Sequence, residues 1–271
     1  MSNAAATQPD WNAIAEKFDL WLPHIAPAGE TLLAASAPAA GDLILDVACG
    51  TGEPALTLAQ RLENTGKIIA TDAAPGMIAA ARRKAEARTL SNIEFSCMPA
   101  ESLSFRDETF DKTISRFGVM LFDDPLRGLQ EMYRVTRPAG RLAVAVWGRP
   151  ETMTTVCWAW KAFKNKVPEE KLPPLATITS LGDPETLAQL LSAAGWHNID
   201  IRTHSLAYRF PSFDDYWHTI EASEIMQTQF DALAAGESER IRDQIAAYAR
   251  PFLHGDGLHI PHEYLVATAR R

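Results

Sequence analysis

A strand-like apolar run at Leu43–Val47 delivers the chain into Ala48-Cys49-Gly50-Thr51-Gly52. Apolar positions Ala55, Leu58, Ala59 and Leu62 follow at the spacing of one helix face. Strand, glycine turn and helix in that order constrain the fold more than any other stretch, because this is how a parallel strand hands over to the helix covering its sheet. Pro54 suits the first turn of that helix, where its missing N–H costs nothing. The alternation then repeats. Residues 67–71 read as a strand, Pro75–Ala87 as an Ala-rich helix, Ile93–Cys97 as a strand and 110–115 as another. Asp124-Pro125 reads as a helix cap with proline at the first helical position, the helix running to about Val135. Pro138-Ala139-Gly140 breaks it, and 141–147 alternates into a further strand. The expectation is an α/β fold: a Rossmann-like, mostly parallel sheet with helices on both faces. Ligands in such sheets lie beyond the carboxyl ends of the strands, which points to 48–52, 71–73, 98–101 and 115–118.

The pattern changes after Gly148. Residues 151–166 read as a helix rich in aromatics (Trp158, Trp160, Phe163), and Asp183-Pro184 caps another that ends at Gly195. Residues 199–203 and 264–269 read as strands, with helices between them over about 213–252. The last two strands are expected to form an antiparallel pair closing the sheet, with the intervening helices as a cap inserted late in the chain. Three regions follow: 1–40, a helical segment over the site; 41–150, the core; and 151–271, the cap, substrate region and closing strands. Any disorder is expected only in the Ala-rich residues 1–7.

Charge narrows the partners. The formal net charge is −8 and no run of Lys or Arg stands out, which argues against nucleic acid, since binding it needs cations to displace phosphate counterions. No apolar run is long enough for stable membrane insertion. The cysteines Cys49, Cys97 and Cys157 have no CxxC spacing and leave an odd thiol under any pairing, so a reducing, cytoplasmic setting is expected.

Two acids carry the chemical information. Asp46, at the strand end before the glycine turn, would repel an anionic pyrophosphate but suits the ammonium of a zwitterionic amino-acid tail. The third glycine of the dinucleotide fingerprint is also missing, Ala55 standing there instead. Asp72 ends the next strand, where an acid commonly binds ribose hydroxyls, of NAD and S-adenosylmethionine alike; an ordinary helix N-cap is the lesser alternative.

The stretch 46–52, Asp72 with Met77 behind it, and Ala100-Glu101-Ser102-Leu103-Ser104-Phe105 resemble the class I S-adenosylmethionine-dependent methyltransferases. The resemblance lies with the methyltransferase type 11 group that includes the ubiquinone and menaquinone biosynthesis enzymes. It continues through Phe110-Asp111 and residues 134–142, and it takes in residues 11–19. It implies S-adenosyl-L-methionine as cofactor and a small-molecule methyl acceptor. By the same resemblance the loop Ala48, Cys49, Gly50, Thr51 and Gly52 would pack on the methionine moiety, and Asp46 would direct its ammonium. Asp72 would take the ribose, Ala73 and Met77 would bracket the adenine, and the Ala100 N–H would meet the ring. The Ser115 carbonyl would hold the amino group, and Phe117 would lie near the transferable methyl. One departure stands out. Pro99 replaces the aspartate that usually accepts from the adenine amino group, so Glu101 or a backbone carbonyl would have to substitute.

Ser115-Arg116-Phe117-Gly118 lacks the Asn/Asp-Pro-Pro-aromatic motif of DNA amino-methylating enzymes, and the Gly-Ile/Val-Arg-Asn run of the quinone enzymes is absent. No metal site is expected, Asp123-Asp124 reading as a helix cap with a solvated neighbour. The aromatics Trp158, Trp160, Phe210, Tyr216, Trp217 and Phe252 either line an acceptor cavity or form the core of the cap. If a general base is needed, His218 is the first candidate and His24 the second. The rival readings are a nicotinamide-dependent oxidoreductase and a non-catalytic S-adenosylmethionine-binding protein.

Overall fold

The computed structural model describes residues 9–271, so the expected disorder at residues 1–7 lies outside the described residues. The strand-like runs assemble into one mixed sheet of eight strands. These are β1 (Leu43–Val47), β2 (Lys67–Asp72), β3 (Ile93–Cys97), β4 (Phe110–Arg116), β5 (Thr136–Trp147), β6 (His197–Phe210), the short β7 (Leu253–His254) and β8 (Gly257–Arg270). The order is β3-β2-β1-β4-β5-β8-β6, with β7 paired to β8 alone. β1 to β5 are parallel, and β8 runs antiparallel to both β5 and β6. The chain leaves β1 toward β2 and β3, then returns to β4 on the other side of β1. That reversal opens the crevice at the carboxyl ends of β1 and β4.

Helices α1 (Leu22–Ser36), α2 (Ala55–Leu62), α3 (Pro75–Ala87), α4 (Pro125–Val135), α5 (Thr154–Phe163), α6 (Leu175–Ile178), α7 (Pro184–Ala193), α8 (Phe213–Ser223), α9 (Gln227–Asp231) and α10 (Glu237–Ala249) complete the molecule. α1 packs over β4, β5, β6 and β8, while α5, α8 and α10 pack together as the cap. Asp124 and Asp183 cap α4 and α7 as expected, accepting from the amides of Arg127 and Thr186 at 3.0 Å each. Each such cap is worth about 1 kcal/mol.

Local boundaries shift in three places. Pro54 precedes α2 rather than starting it. The chain turns directly from α4 into β5 at Thr136, so Pro138-Ala139-Gly140 lies within the strand and not in a break before it. The helix expected over 151–166 is α5, entered through a short turn at Pro150–Thr152.

The larger difference is the length of the last pair. β6 and β8 pair from His197↔Arg270 to Phe210↔Leu258, whereas the pairing of β5 with β8 ends at Trp147↔Tyr264. The pair therefore overhangs the carboxyl edge and raises a wall beside the crevice. Leu206, Tyr208 and Phe210 are buried on alternate positions, as are Leu258, Ile260, His262 and Tyr264. This period of two was readable in the sequence, with His259, Pro261 and Glu263 as the outward positions, but Pro261 within the run argued against a paired strand.

Candidate active site

The backbone of the turn after β1 is unusual. Ala48, Gly50 and Gly52 all have positive φ, at 58°, 56° and 106°. Such values cost an alanine about 1–2 kcal/mol, so the loop shape is held against a local preference. The Cys49 amide ties it to the Thr71 carbonyl of β2 at 2.9 Å. A Cβ added at Gly52 would stand 2.7 Å from Leu56 Cδ1, so that glycine lets the loop close on α2. At Gly50 an added Cβ would meet nothing within 4 Å, so Gly50 presents bare backbone to open space. Thr51 is buried and held from the other side, its hydroxyl donating to Asp19 at 2.6 Å.

Asp72 draws two segments together. It accepts from the Gly50 amide and from the Ala74 amide at the start of α3, each at 2.9 Å. Burial pushes its carboxyl up, and these amides oppose the shift. Asp46 is in a harsher place. It is fully buried in the middle of the sheet, and neither carboxylate oxygen has a partner of good hydrogen-bond geometry among the described residues, although the Ala55 amide at the start of α2 comes near enough to favour the charged form. Burial raises its pKa to about 8 despite the charge of Arg116 nearby. A buried acid without a partner costs several kcal/mol, and such groups ask for an explanation. The hydroxyl of Ser115 at the end of β4 is orphaned in the same way. An orphaned acid beneath a loop that opens to space through Gly50 fits the ammonium of an amino-acid tail.

Residues 10–21 lie over this loop. Asp19 also receives Lys84 of α3, and Asn12 accepts the Gly76 amide at 2.9 Å. Met77 is buried with Ala15 and Ala74 beneath Trp11 and Phe18, while Ala73 is exposed. The Met98 amide donates to the Asp72 carbonyl at 3.0 Å, which brings 98–101 to the end of β2 with Ala100 buried. Glu101, the expected substitute for an acid at Pro99, is engaged elsewhere through one of its oxygens. Its Oε1 accepts from the Asp124 amide at 3.2 Å, at the start of α4. Pro99→Asp is therefore expected to tighten S-adenosylhomocysteine binding by up to about tenfold, the yield of one charge-assisted hydrogen bond at ~1.4 kcal/mol. Glu101→Gln should change affinity little. Calorimetric titration of both variants checks this, and a weakened Glu101→Gln with an unchanged Pro99→Asp would restore Glu101 to the adenine.

On the β4 side, Phe117 holds a left-handed φ of 58°, its amide fixed to the Ala145 carbonyl at 2.8 Å. Its ring stacks on Trp147 at 3.9 Å and meets the edge of Tyr264 at 6.2 Å. The overhanging wall adds Tyr208, which packs on His262 at 4.1 Å and on His24 of α1 at 5.4 Å. Sequence reasoning missed Tyr208, His262 and Tyr264, whose alternation was the available signal.

The histidines divide clearly. His262 is buried; its Nδ1 donates to the Ile260 carbonyl and its Nε2 accepts from the Thr155 hydroxyl at 2.9 Å. Burial lowers its pKa to about 3, so it is a neutral structural group. His24 is half-buried, which lowers its pKa also. His218 is exposed on the outer side of α8, with Tyr216, Trp217 and Ile220 on the buried side.

Cavities open in two places among the described residues that bear on the site and the cap. One of about 370 Å³ lies between α1, the start of α2 and α3, with Arg116 in its wall. The other, about 270 Å³, lies within the cap against Trp217, Phe230 and Arg242. Most cap aromatics pack on each other, as Trp158 does on Phe252 at 5.4 Å and Phe210 on Tyr216 at 5.3 Å. No helix of the described residues is long and apolar enough to cross a membrane.

Residues 28–208 match the family described as the ubiE/COQ5 methyltransferase family. The chain is similar to demethylmenaquinone methyltransferase of Paenarthrobacter aurescens, 31% identical over 181 residues that cover 61% of this chain and 66% of that one. It is also similar to demethylmenaquinone methyltransferase of Thermus thermophilus, 44% identical over 107 residues, 40% of this chain and 48% of the relative. The chain thus spans about half to two thirds of the length of such relatives. Among solved structures it is similar to the YcgJ protein of Bacillus subtilis, with a TM-score of 0.64 at 17% identity over 91% of this chain and 98% of that one, a likeness of fold alone.

Proposed function

This chain belongs to the ubiE/COQ5 methyltransferase family, and on that premise we propose that it transfers a methyl group from S-adenosyl-L-methionine to a small organic acceptor. The observation that carries the proposal is Asp46, a buried acid with no partner, under a glycine loop whose Gly50 faces open space. A pyrophosphate brought there would meet Asp46 and Asp72, which disfavours a nicotinamide dinucleotide.

When bound, the cofactor supplies a methyl group on a sulfonium that an acceptor displaces in line. The protein's part is placement. The backbone of residues 48–52 would leave room for the methionine moiety, Asp46 would face its ammonium, and Asp72, keeping its two amides, would accept ribose hydroxyls on its remaining lone pairs. Ala73, Met77, the Ala100 N–H and the Ser115 carbonyl border the adenine. Phe117, whose positive φ and stacking on Trp147 fix its ring, would wall the reacting end from water. Alignment of this kind supplies roughly 7–11 kcal/mol of barrier lowering. His218 would serve as general base only if the exposed outer side of α8 turned toward the acceptor.

The acceptor is proposed to be a neutral or weakly charged aromatic molecule held between residues 116–122 and the region 151–252. The aromatic wall of Phe117, Trp147, Tyr208 and Tyr264 supports this, as do the acceptors named in the relatives. The division into a cover at 1–40, a core at 41–150 and a substrate region at 151–271 belongs to the same proposal. The free thiols Cys49, Cys97 and Cys157 suit a reducing, cytoplasmic compartment.

A saturating ligand stabilises the folded state by about 2.7 kcal/mol at a hundred times its Kd. S-adenosylhomocysteine is therefore expected to raise the Tm by about 5–10 °C, and NAD to leave it unchanged. A shift with NAD and none with S-adenosylhomocysteine would reverse the assignment.

A further inference from the structure

We propose that Arg116 takes the α-carboxylate of the cofactor's amino-acid tail while Asp46 takes its ammonium, so that the two side chains together read a zwitterion. This rests on the cofactor reading above and adds a residue to it. Asp46 pairs in register with Ile114 across the parallel β1–β4 ladder. Arg116 stands two residues further along β4, roughly 6–7 Å nearer the crevice. The two interact electrostatically, yet they form no ion pair within 4 Å, and among the described residues Arg116 has no hydrogen bond. Its guanidinium instead packs along α1, where a Cβ added at Gly29 would stand 3.5 Å from Nη1. That places a cation in the wall of the 370 Å³ cavity beside the start of α2.

The other charges of this cavity are already spent. Lys84 is bridged to Asp19 at 2.5 Å, Arg88 to Glu53 at 2.7 Å, and Glu30 to Arg61 at 2.6 Å. Glu53 is further engaged by the Thr57 hydroxyl at 2.7 Å. Arg116 is thus the cation of this cavity left without an ion pair among the described residues. Asp46, on the same face of the sheet and behind the cavity wall, is the buried acid that faces it with both oxygens unpartnered. A simple anion would satisfy the guanidinium and leave Asp46 bare. A simple amine would do the reverse. An α-amino acid end supplies both missing charges on adjacent atoms.

Calorimetry with three probes separates the possibilities: S-adenosylhomocysteine, its decarboxylated analogue that keeps the amine, and methylthioadenosine, which has no amino-acid tail. The wild type should bind S-adenosylhomocysteine roughly ten- to hundredfold tighter than the decarboxylated analogue, the usual worth of a charge-assisted pair. In Arg116→Gln that preference should collapse to near unity while methylthioadenosine affinity holds, and Arg116→Lys should retain part of the preference. An unchanged preference in Arg116→Gln would overturn the assignment and leave Arg116 to an acidic acceptor. Should Arg116→Gln fail to fold, a full preference in Arg116→Lys with the wild-type dependence on salt would overturn it too, and a reduced one would support it. Failure of the wild type to bind any of the three probes would refute the cofactor reading itself, a result distinct from failure at Arg116.

Discussion

Asp46→Asn is expected to make the protein more stable and to cost it the cofactor. In the fold, burial raises the Asp46 carboxyl from its usual 3.8 to about 8, and Arg116, Asp72 and Glu53 are the charged groups that face it. The sign follows from proton counting. Between the unfolded and folded values the unfolded chain has released its proton and the folded one has kept it. Stability from this group is therefore greatest below about pH 4 and falls as pH rises toward about 8. At neutral pH the cost is about 4 kcal/mol, at 1.36 kcal/mol for each unit of displacement. Asparagine carries no charge to desolvate but leaves a buried amide unpaired, which returns about 1–3 kcal/mol of that. The net gain should appear as a Tm increase of about 2–8 °C. Affinity for S-adenosylhomocysteine should fall about ten- to hundredfold, because the ammonium loses its charged partner. In the wild type this affinity should climb from about pH 6 to about pH 8 as Asp46 ionises, and in Asp46→Asn it should be flat over that range. A variant of lower Tm with undiminished affinity would show Asp46 to be a structural acid.

Gly50→Val should abolish cofactor binding, by at least about a hundredfold, and still yield a folded protein. Nothing lies within 4 Å of the position its Cβ would take, so no packed neighbour is displaced. The φ of 56° charges a branched residue about 1–2 kcal/mol, which a domain of this size tolerates. The isopropyl group would fill the space proposed for the methionine moiety. Gly52→Ala is the informative contrast. Its Cβ would be driven to 2.7 Å from Leu56 Cδ1 at a φ of 106°, so it should lose stability first and binding as a consequence. Thermal denaturation beside calorimetry distinguishes the two variants. Unchanged affinity in a folded Gly50→Val protein would remove the glycine loop from the site.

How far the sequence could be read depends on the distance over which each feature is determined. β1, the turn at 48–52 and α2 are contiguous, and their signals act within a few residues: apolar period, glycine at positive φ, and caps such as Asp124 and Asp183. Asp46 was legible for a related reason. In a strand buried on both faces an acid is an anomaly that needs no knowledge of the fold to be noticed. Glu101 shows the limit. It stands two positions from Pro99 in the chain, yet its carboxylate is claimed by the Asp124 amide, which the sequence could not place beside it.

The sequence alone therefore determined the parallel half of the sheet, the glycine turn, the two acids at its strand ends and the resemblance they carry. Tertiary structure decided the rest of the crevice. The overhang of β6 and β8, the packing of Tyr208 and His262 against His24, the burial of Met77 beneath Trp11 and Phe18, and the approach of Arg116 to Asp46 all join segments far apart in the chain. Turn chemistry and periodicity are short-range preferences of the backbone. Which side chains share a cavity, and which buried charge is left without a partner, is settled only when the whole core closes around them.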